Sequence, residues 1–260
     1  MMKSIARSLL DKLGVEIRRT RAGATGFPAS PYAVQQKLLW ETGRRHPVIF
    51  DVGAHKGETV ARYRGLFPDV DIWGFEAFPD SIRVLQQRFA NDASVHIVPA
   101  AVTDRSGQKT FYVNANDSTH SLLPRNQGSR RYYHSSADAV SAMEVAATTL
   151  DDVIKDNRID LVDILKLDIQ GSELMAFDGA KETLEANRVS LIYTETLFVP
   201  HYQNNPLFYE LWTRLAEYGY TLFNLYDLYH ARNGQLRFAD ALFVSPQMRR
   251  DVIDRFADEP

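Results

Sequence analysis

A short loop with two glycines, DVGAHKG, runs from Asp51 to Gly57 and continues the apolar run VIF. Glycines let a backbone approach a ligand closely, and the N-terminus of a helix after such a loop favours a negative group such as a carboxylate. Glu76 follows a second apolar run, 25 residues after Asp51. A carboxylate there can accept two hydrogen bonds and suits the two hydroxyls of a ribose. Together the loop and Glu76 predict an adenosine-containing cofactor.

The spacing of the glycines selects among such cofactors. A dinucleotide site usually has G-x-G-x-x-G and a P-loop has G-x-x-x-x-G-K-[ST], but this loop has two glycines four apart. The carboxylate of Asp51 would repel a pyrophosphate and would suit a cationic amino group. S-adenosylmethionine carries an ammonium group, so it fits this loop better than a dinucleotide does.

Further polar residues follow the later apolar runs. Lys166 and Asp168 are two apart in LVDILKLDI and therefore share one face of a strand. We predict that Asp168 lies at the methyl centre, as base or as orienter of the acceptor; the alternative is a Lys166–Asp168 pair that neutralises itself in the core. Glu195 ends VSLIYTE, and His201 follows in the next loop. Because imidazole titrates near pH 6.5, His201 is the first candidate for the base, although a lone loop histidine is often merely exposed.

The same side chains raise the question of a metal. Asp168, Glu195 and His201 together would offer two carboxylates and an imidazole to a divalent cation, which some O-methyltransferases require. Without supporting ligand spacings, we predict no metal.

The elements that must position these residues alternate between apolar runs and helical periodicity. PVIFDVGA, DIWGFEAF, SVHIVPAAV, LVDILKLDI and VSLIYTE are predicted core strands, and helices are predicted between most of them. GYTLFNLY and FADALFVS are predicted as a closing hairpin with its turn at Asn233-Gly234. This order predicts an α/β fold of the class I methyltransferase type, a Rossmann-like, doubly wound, mostly parallel seven-stranded sheet that ends in a hairpin. GQKTFYV and MEVAATTL are predicted as two exposed strands of an inserted β element.

The chain divides into an N-terminal segment and one domain. Residues 1–31 are predicted as a basic amphipathic helix and a linker, which either contacts a membrane surface or partner or packs onto the domain. Residues 32–260 are predicted as the domain, and its polar stretch at about 114–142 is either a lid or substrate loop or a surface excursion.

Composition excludes several classes of protein. The 260 residues carry 30 Lys and Arg against 33 Asp and Glu, a net charge of -3 that argues against nucleic acid as a partner. The absence of cysteine excludes disulfides, thiolate metal sites and a cysteine nucleophile. No apolar stretch is long enough to span a membrane, and charged residues interrupt the first twenty, so the cytoplasm is the expected location.

The strings VIFDVGAHKGET, GFEAFPDS, PAAVTDRSG, TTLDDVI and ILKLDIQGSELMAFDGA, in this order, resemble the FkbM family of methyltransferases. The similarity runs from about residue 48 to residue 244 and includes YTETLFVPHYQNN. It implies a class I enzyme that uses S-adenosylmethionine, mostly for O-methylation of sugars or natural products. The family commonly has Asn, Pro and Glu where His55, Ala77 and Gln170 stand. Its K-x-D-x-x-G-x-E motif falls on Lys166, Asp168, Gly171 and Glu173, and Glu173 would equally suit a structural role in the first turn of a helix.

The predicted site follows from these strands and this resemblance. Catalytic roles are expected for Asp168, His201, Glu195 and Lys166, and cofactor contacts are expected from Asp51, Gly53, Ala54, His55, Gly57, Glu76, Ala77, Ala101 and Asp168. The alternatives are another Rossmann-like nucleotide-dependent enzyme, such as a nucleotide-sugar dehydrogenase, and a non-catalytic partner subunit. The missing third glycine argues against the first, and the retained Asp51, Gly53, Glu76 and Asp168 argue against the second.

Overall fold

A computed structural model of the chain describes residues 28–126, 128 and 139–255. The predicted amphipathic helix near the N-terminus lies outside the described residues, and so do residues 129–138 of the polar insertion. Within the described ranges, no helix is long and apolar enough to cross a membrane.

The described residues form two sheets. The strands are β1 (Val48–Val52), β2 (Asp71–Phe75), β3 (Val95–Val98), β4 (Ala101–Val102), β5 (Gly107–Asn114), β6 (Ala139–Thr148), β7 (Val162–Leu167), β8 (Val189–Leu197), β9 (Thr221–His230) and β10 (Leu236–Val244). Seven of them form the main sheet in the order β3-β2-β1-β7-β8-β10-β9, and the other three form a small sheet in the order β4-β6-β5. In the main sheet β10 runs antiparallel to both β8 and β9, while the pairs between β3 and β8 are parallel. This is the predicted seven-stranded class I methyltransferase sheet.

Helices cover both faces of the main sheet. They are α1 (Pro31–Glu41), α2 (Glu58–Leu66), α3 (Pro79–Arg88), α4 (Leu150–Asp156), α5 (Glu173–Asp178), α6 (Lys181–Glu185), α7 (Phe208–Glu217) and α8 (Pro246–Asp251), with 3-10 turns at Asp117–Thr119 and Ile253–Arg255. Side chains alternate across β1, so that Ile49 packs into the apolar cluster under α1 and α2, while Phe50 packs into the cluster under α4 to α7. Both residues are fully buried, which is why β1 reads as a continuous apolar run.

The order of the strands fixes where a ligand can bind. The chain winds outward from β1 through β2 to β3, then returns to the other side of β1 with β7 and continues through β8. The direction of winding therefore reverses between β1 and β7, and a crevice opens beyond their carboxyl ends. Asp51 pairs with Lys166 in the register of these two strands, which brings the residues that follow them together.

Several local expectations were wrong. SVHIVPAAV is split at Pro99 into β3 and β4, and β4 leaves the main sheet to pair with β6. The helix predicted between LVDILKLDI and VSLIYTE is broken at Gly179 into α5 and α6, and a Cβ at that position would lie 2.1 Å from the carbonyl oxygen of Thr103.

Candidate functional site

A cavity of about 220 Å³ opens at the carboxyl ends of β1, β2 and β7. Eight predicted site residues line it: Gly53, Ala54, His55, Glu76, Ala77, Ala101, Lys166 and Asp168. Asp51, Gly57, Glu195 and His201 lie outside the set of residues that lines it.

The loop after β1 is held against β2 and β7. The backbone N–H groups of Gly53 and Ala54 both donate to the carbonyl oxygen of Phe75, at 3.0 and 2.9 Å. Gly53 has a φ of +84°, and a Cβ on it would lie 2.0 Å from the carbonyl oxygen of Asp168. Gly57 precedes α2 with a φ of +85°, so both glycines of the loop take a conformation that other residues rarely adopt. The loop thus brings backbone, without side-chain bulk, to the floor of the cavity.

Glu76 follows β2 with its carboxylate at the cavity wall. One oxygen accepts from the backbone N–H of His55 at 2.8 Å, and the other accepts from Ala77 and Phe78 at 2.9 and 2.7 Å. Burial raises the pKa of Glu76, and these three hydrogen bonds oppose that rise because they favour the charged form. The carboxylate oxygens keep acceptor capacity beyond these bonds, as recognition of a ribose requires.

Asp51 has a different environment from the one expected. Its carboxylate is fully buried, and its Oδ1 lies 3.1 Å from the Nζ of Lys166. Burial disfavours the charge on Lys166, but the negative charges of Asp51 and Asp168 outweigh this and raise its pKa. Asp51 is therefore paired inside the sheet beneath the cavity and does not present its carboxylate to a ligand ammonium group, because β7 places a lysine directly opposite it.

Asp168 extends from the end of β7 with its side chain 45% exposed at the cavity. The Nε2 of Gln170 donates to Asp168 and also to Glu195, in both cases at 2.9 Å. Glu195 does not end its strand as expected, since β8 continues to Leu197 and pairs Glu195 with Asp240 of β10. Burial, followed by the charges of nearby carboxylates, raises the pKa of Glu195 well above its ordinary value.

Glu173 has a structural role in the loop after β7. Its side chain is 2% exposed, and its Oε1 accepts from the backbone N–H groups of Ile169 and Gly171 at 3.1 and 3.2 Å. Burial raises its pKa to about 7. These bonds hold the turn that carries Asp168 and Gln170, so Glu173 supports the cavity wall from behind.

His201 is placed where it does not support the expected role of base. It is 3% exposed and packs against Phe238, with ring centroids 6.2 Å apart. Burial lowers its pKa to about 3, and the charges of Arg237 and Arg125 act in the same direction. An imidazole with so low a pKa stays neutral at physiological pH and is a weak proton acceptor. The sequence placed His201 on the correct side of the sheet, but the loop after β8 turns its ring inward.

The first part of the polar insertion covers the cavity. Asp117, Ser118, His120 and Leu122 all line it. The Oδ2 of Asp117 lies 2.5 Å from the Nζ of Lys56 and 3.5 Å from the Nε2 of His55, so the insertion is tied to the loop after β1. We refer to residues 117–122 as the roof. Their position favours the lid or substrate loop over the surface excursion.

Sequence reasoning missed several residues of this site, including the following four. Ser81, Phe111, His120 and Gln170 line the cavity. The Nδ1 of His120 accepts from the backbone N–H of Asn114 at 3.0 Å, and its ring meets Phe78 edge to face at 4.5 Å. Phe111 belongs to the small sheet, so no pattern in the main sheet points to it. Gln170 had a signal, because it stands between Asp168 and Glu173 in a motif.

Metal-ligating side chains do not cluster in the part of the chain that the structure describes. Among those residues, no group of three or more His, Asp or Glu side chains is arranged to hold a metal ion. That the protein needs no metal stays a prediction, which a measurement of activity with a chelator would test.

Known proteins resemble this chain in sequence and in fold. The model of the Methyltransferase FkbM domain family matches residues 51–222. The 2-O-methyltransferase NoeI of Sinorhizobium fredii (strain NBRC 101917 / NGR234) is 26% identical over 202 residues, which are 74% of this chain and 81% of that protein. The crystal structure of methyltransferase FkbM from Methylobacillus flagellatus KT matches with a TM-score of 0.50 at 16% identity, over 83% of this chain and 48% of that chain. This chain thus spans about half the length of that solved chain, and the likeness is one of fold.

Proposed function

The chain belongs to the FkbM family of methyltransferases, and on that premise we propose that its cavity binds S-adenosylmethionine and delivers the methyl group to a hydroxyl group of the acceptor. When bound, this cofactor supplies a methyl group on a sulfonium, which is an electrophile that needs no further activation. The observation that carries the proposal is the joint placement of Glu76 and Asp168 on one cavity, with Gly53 packed between the two strand ends.

The walls of the cavity fit the parts of this cofactor. Glu76 would accept hydrogen bonds from the ribose hydroxyls, because its carboxylate is fixed by three backbone N–H groups and lines the cavity. The base would lie among apolar and aromatic side chains near Ala77, Ala101, Phe111 and His120. The methionine end would lie along the loop after β1, where Gly53 leaves the backbone open to close approach.

Methyl transfer to a hydroxyl group requires the protein to position the acceptor and to remove its proton. Asp168 would orient the acceptor hydroxyl and accept its proton, because its carboxylate is the exposed acidic group at the end of β7. Lys166, 4.0 Å from Asp168, would place a positive charge beside that carboxylate and would hold its own place through Asp51. Asp168 is assigned because it lines the cavity, and Lys166 is assigned because it pairs with Asp51 and lies beside Asp168.

One relative supports a class of acceptor. A curated relative at 26% identity is named a 2-O-methyltransferase, which supports a hydroxyl acceptor here. We propose a sugar, a glycan or another hydroxylated natural product, and we do not expect nucleic acid, given the net charge of -3. We further propose that the reaction takes place in the cytoplasm, where the supply of this cofactor is made.

Two measurements test this function. Calorimetric titration with S-adenosylhomocysteine should show one site per chain, and a panel of hydroxylated saccharides should show the gain of one CH₂ by mass spectrometry. EDTA should leave that activity unchanged, since proton removal is assigned to Asp168. Absence of binding would remove the cofactor assignment, and binding without turnover on any acceptor of the panel would favour a non-catalytic subunit.

A further inference from the structure

The side-chain amide of Gln170 is held by three other side chains. Its Nε2 donates to Oδ1 of Asp168 and to Oε2 of Glu195, each at 2.9 Å, and its Oε1 accepts from the hydroxyl of Tyr202 at 2.7 Å. We refer to Asp168 and Glu195 as the carboxyl pair. One NH₂ group thus joins a carboxyl group that borders the cavity to one that lies behind it.

Only one orientation of the amide suits these neighbours. A flipped amide would aim its oxygen at the two carboxyl groups, which are acceptors when ionised, and its NH₂ at Tyr202. The single proton of the Tyr202 hydroxyl goes to Oε1 of Gln170 at 2.7 Å, and the carbonyl oxygen of Thr119, at 3.1 Å, is its more distant neighbour. Tyr202 is 1% exposed, which leaves it little freedom to turn.

The backbone of Gln170 is fixed as firmly as its side chain. Its φ is +56°, a conformation that residues other than glycine rarely take. Its carbonyl oxygen accepts from the hydroxyl of Ser121 in the roof at 2.8 Å, and Glu173 holds the next N–H group of the loop. Strained residues of this kind persist where the surroundings determine their position, and they concentrate at functional sites.

The charges around the carboxyl pair are unequal. Glu195 is flanked by Asp168, by Glu173 at the start of α5 and by Asp240 of β10, and the charges of these acids outweigh that of the nearby Lys166. Asp168 is more exposed, and the Nζ of Lys166 lies 4.0 Å from its Oδ2. Of the two carboxyl groups, Glu195 is therefore the one on which a proton is favoured.

We propose that Gln170 is a positioning residue that couples Asp168 to Glu195, so that the carboxyl pair holds one proton on Glu195 and presents one charged oxygen of Asp168 to the acceptor hydroxyl. This inference rests on the proposed function and assigns the base more closely. The O–H bond of the acceptor breaks, its proton moves to a carboxylate oxygen of Asp168, and the electron pair stays on the acceptor oxygen. Gln170 takes no proton itself and acts by fixing the distance between the two carboxyl groups.

The test measures the coupling in the protein without cofactor. With ¹³C-labelled carboxyl groups, the NMR titration of Glu195 is recorded in the wild type, Asp168→Asn, Gln170→Leu and the double variant. The charge of Asp168 raises the pKa of Glu195, so Asp168→Asn should lower the titration midpoint of Glu195 by at least about half a pH unit when Gln170 is present and by much less when it is Leu. A Glu195 titration that is unchanged by Asp168→Asn when Gln170 is present overturns the proposal.

Kinetics provide a second measurement. Gln170→Leu should lower kcat at least about tenfold while the calorimetric affinity for S-adenosylhomocysteine stays within about twofold. Gln170→Glu keeps the shape but adds a third carboxyl group, and its kcat profile should move to higher pH by about one unit. The matched control is Gln108→Leu, an exposed position on β5, which should change neither quantity.

These outcomes separate the inference from the function it rests on. Coupling in the NMR titration without binding of S-adenosylhomocysteine would reject the cofactor and keep the coupling. Binding and turnover with no coupling, or with the wild-type pH profile in Gln170→Glu, would keep the enzyme and reject the role of Gln170. If Gln170→Leu does not fold, Gln170→Glu decides through its pH profile.

Discussion

The α carbon of Gly53 lies directly against the carbonyl oxygen of Asp168, so close that a methyl group on Gly53 would come within 2.0 Å of that oxygen. The backbone N–H of Asp168 in turn donates to the carbonyl oxygen of Val52 at 3.0 Å. The loop assigned to the cofactor and the residue assigned to the acceptor are thus joined through backbone atoms. Their separation is set by the pairing of β1 with β7 and not by side-chain packing.

The first prediction concerns this contact. Gly53→Ala should destabilise the protein by at least about 2 kcal/mol and abolish binding of S-adenosylhomocysteine, because the methyl group meets backbone that cannot move aside and φ is +84°. Denaturant unfolding and calorimetry measure the two effects. Gly65→Ala is the control: it lies exposed in α2 with open space around it and should stabilise by up to about 1 kcal/mol. Equal behaviour of the two variants would contradict the prediction.

The second prediction concerns Glu76. Glu76→Gln replaces one acceptor oxygen by a donor, so binding of S-adenosylhomocysteine should weaken by about 1.5–3 kcal/mol, the usual range for hydrogen bonds to a charged group. Calorimetry measures this change. Glu144→Gln, which removes an exposed carboxylate on β6, should leave the affinity unchanged. Unaltered affinity in Glu76→Gln would remove this residue from the ribose site.

The third prediction separates chemistry from binding. Asp168→Asn keeps the size of the side chain and removes its charge, so turnover should fall at least about tenfold while cofactor affinity changes little. Steady-state kinetics with the identified acceptor, together with calorimetry, give both values. Intact turnover would mean that the Lys166–Asp168 pair is structural, as the alternative interpretation of the sequence holds.

The fourth prediction concerns stability and pH. The pKa of Glu173 is raised from 4.5 to about 7, so the folded state holds a proton that the unfolded state releases. The stability this provides is fully present below pH 4.5 and is lost as pH rises through about 7, by up to about 3 kcal/mol. Glu173→Gln can still accept the bonds from Ile169 and Gly171, so its thermal stability should fall less than that of the wild type between pH 5 and pH 8. Melting temperatures that fall equally with pH in the two proteins would contradict this prediction.

The fifth prediction concerns His201. Because burial lowers its pKa to about 3, its protonation cannot shape the rate between pH 5 and pH 9. The pH profile of kcat in His201→Asn should keep the midpoint of the wild type, although the free energy of unfolding will fall because a buried ring is replaced. Loss of a limb with an apparent pKa of 6–7 in this variant would restore the histidine as the base.

Hydropathy patterning was sufficient for the main sheet, and the reason is physical. Strands that are buried on both faces need continuous apolar runs, and β1, β7 and β8 have them. The carboxyl ends of such strands can be read off the sequence, and Gly53, Glu76 and Asp168, which follow them, line one cavity. Tertiary contacts were not readable: α5 is followed by Gly179, where the carbonyl oxygen of Thr103 leaves no room for a Cβ.

The sequence did not predict the direction in which individual side chains near the site point. His201 and Asp51 are near the site in sequence order, but one ring turns into an aromatic cluster and one carboxylate is taken by Lys166. His120 and Phe111 come from the inserted sheet, whose docking on the main sheet leaves no periodic signal. Candidate site residues can be located from the ends of strands. Their protonation states cannot, because these depend on how each side chain is packed.

The inserted sheet has a consequence for how this enzyme can change its acceptor. β5 and β6 belong to the small sheet, and the roof, residues 117–122, reaches the cavity from the segment that follows β5. The roof can therefore be altered while the pairing of β1 with β7 stays intact. Exchange of this one segment between relatives is the direct route to engineering new acceptor selectivity, with the binding of S-adenosylhomocysteine as the check that the rest of the site has survived.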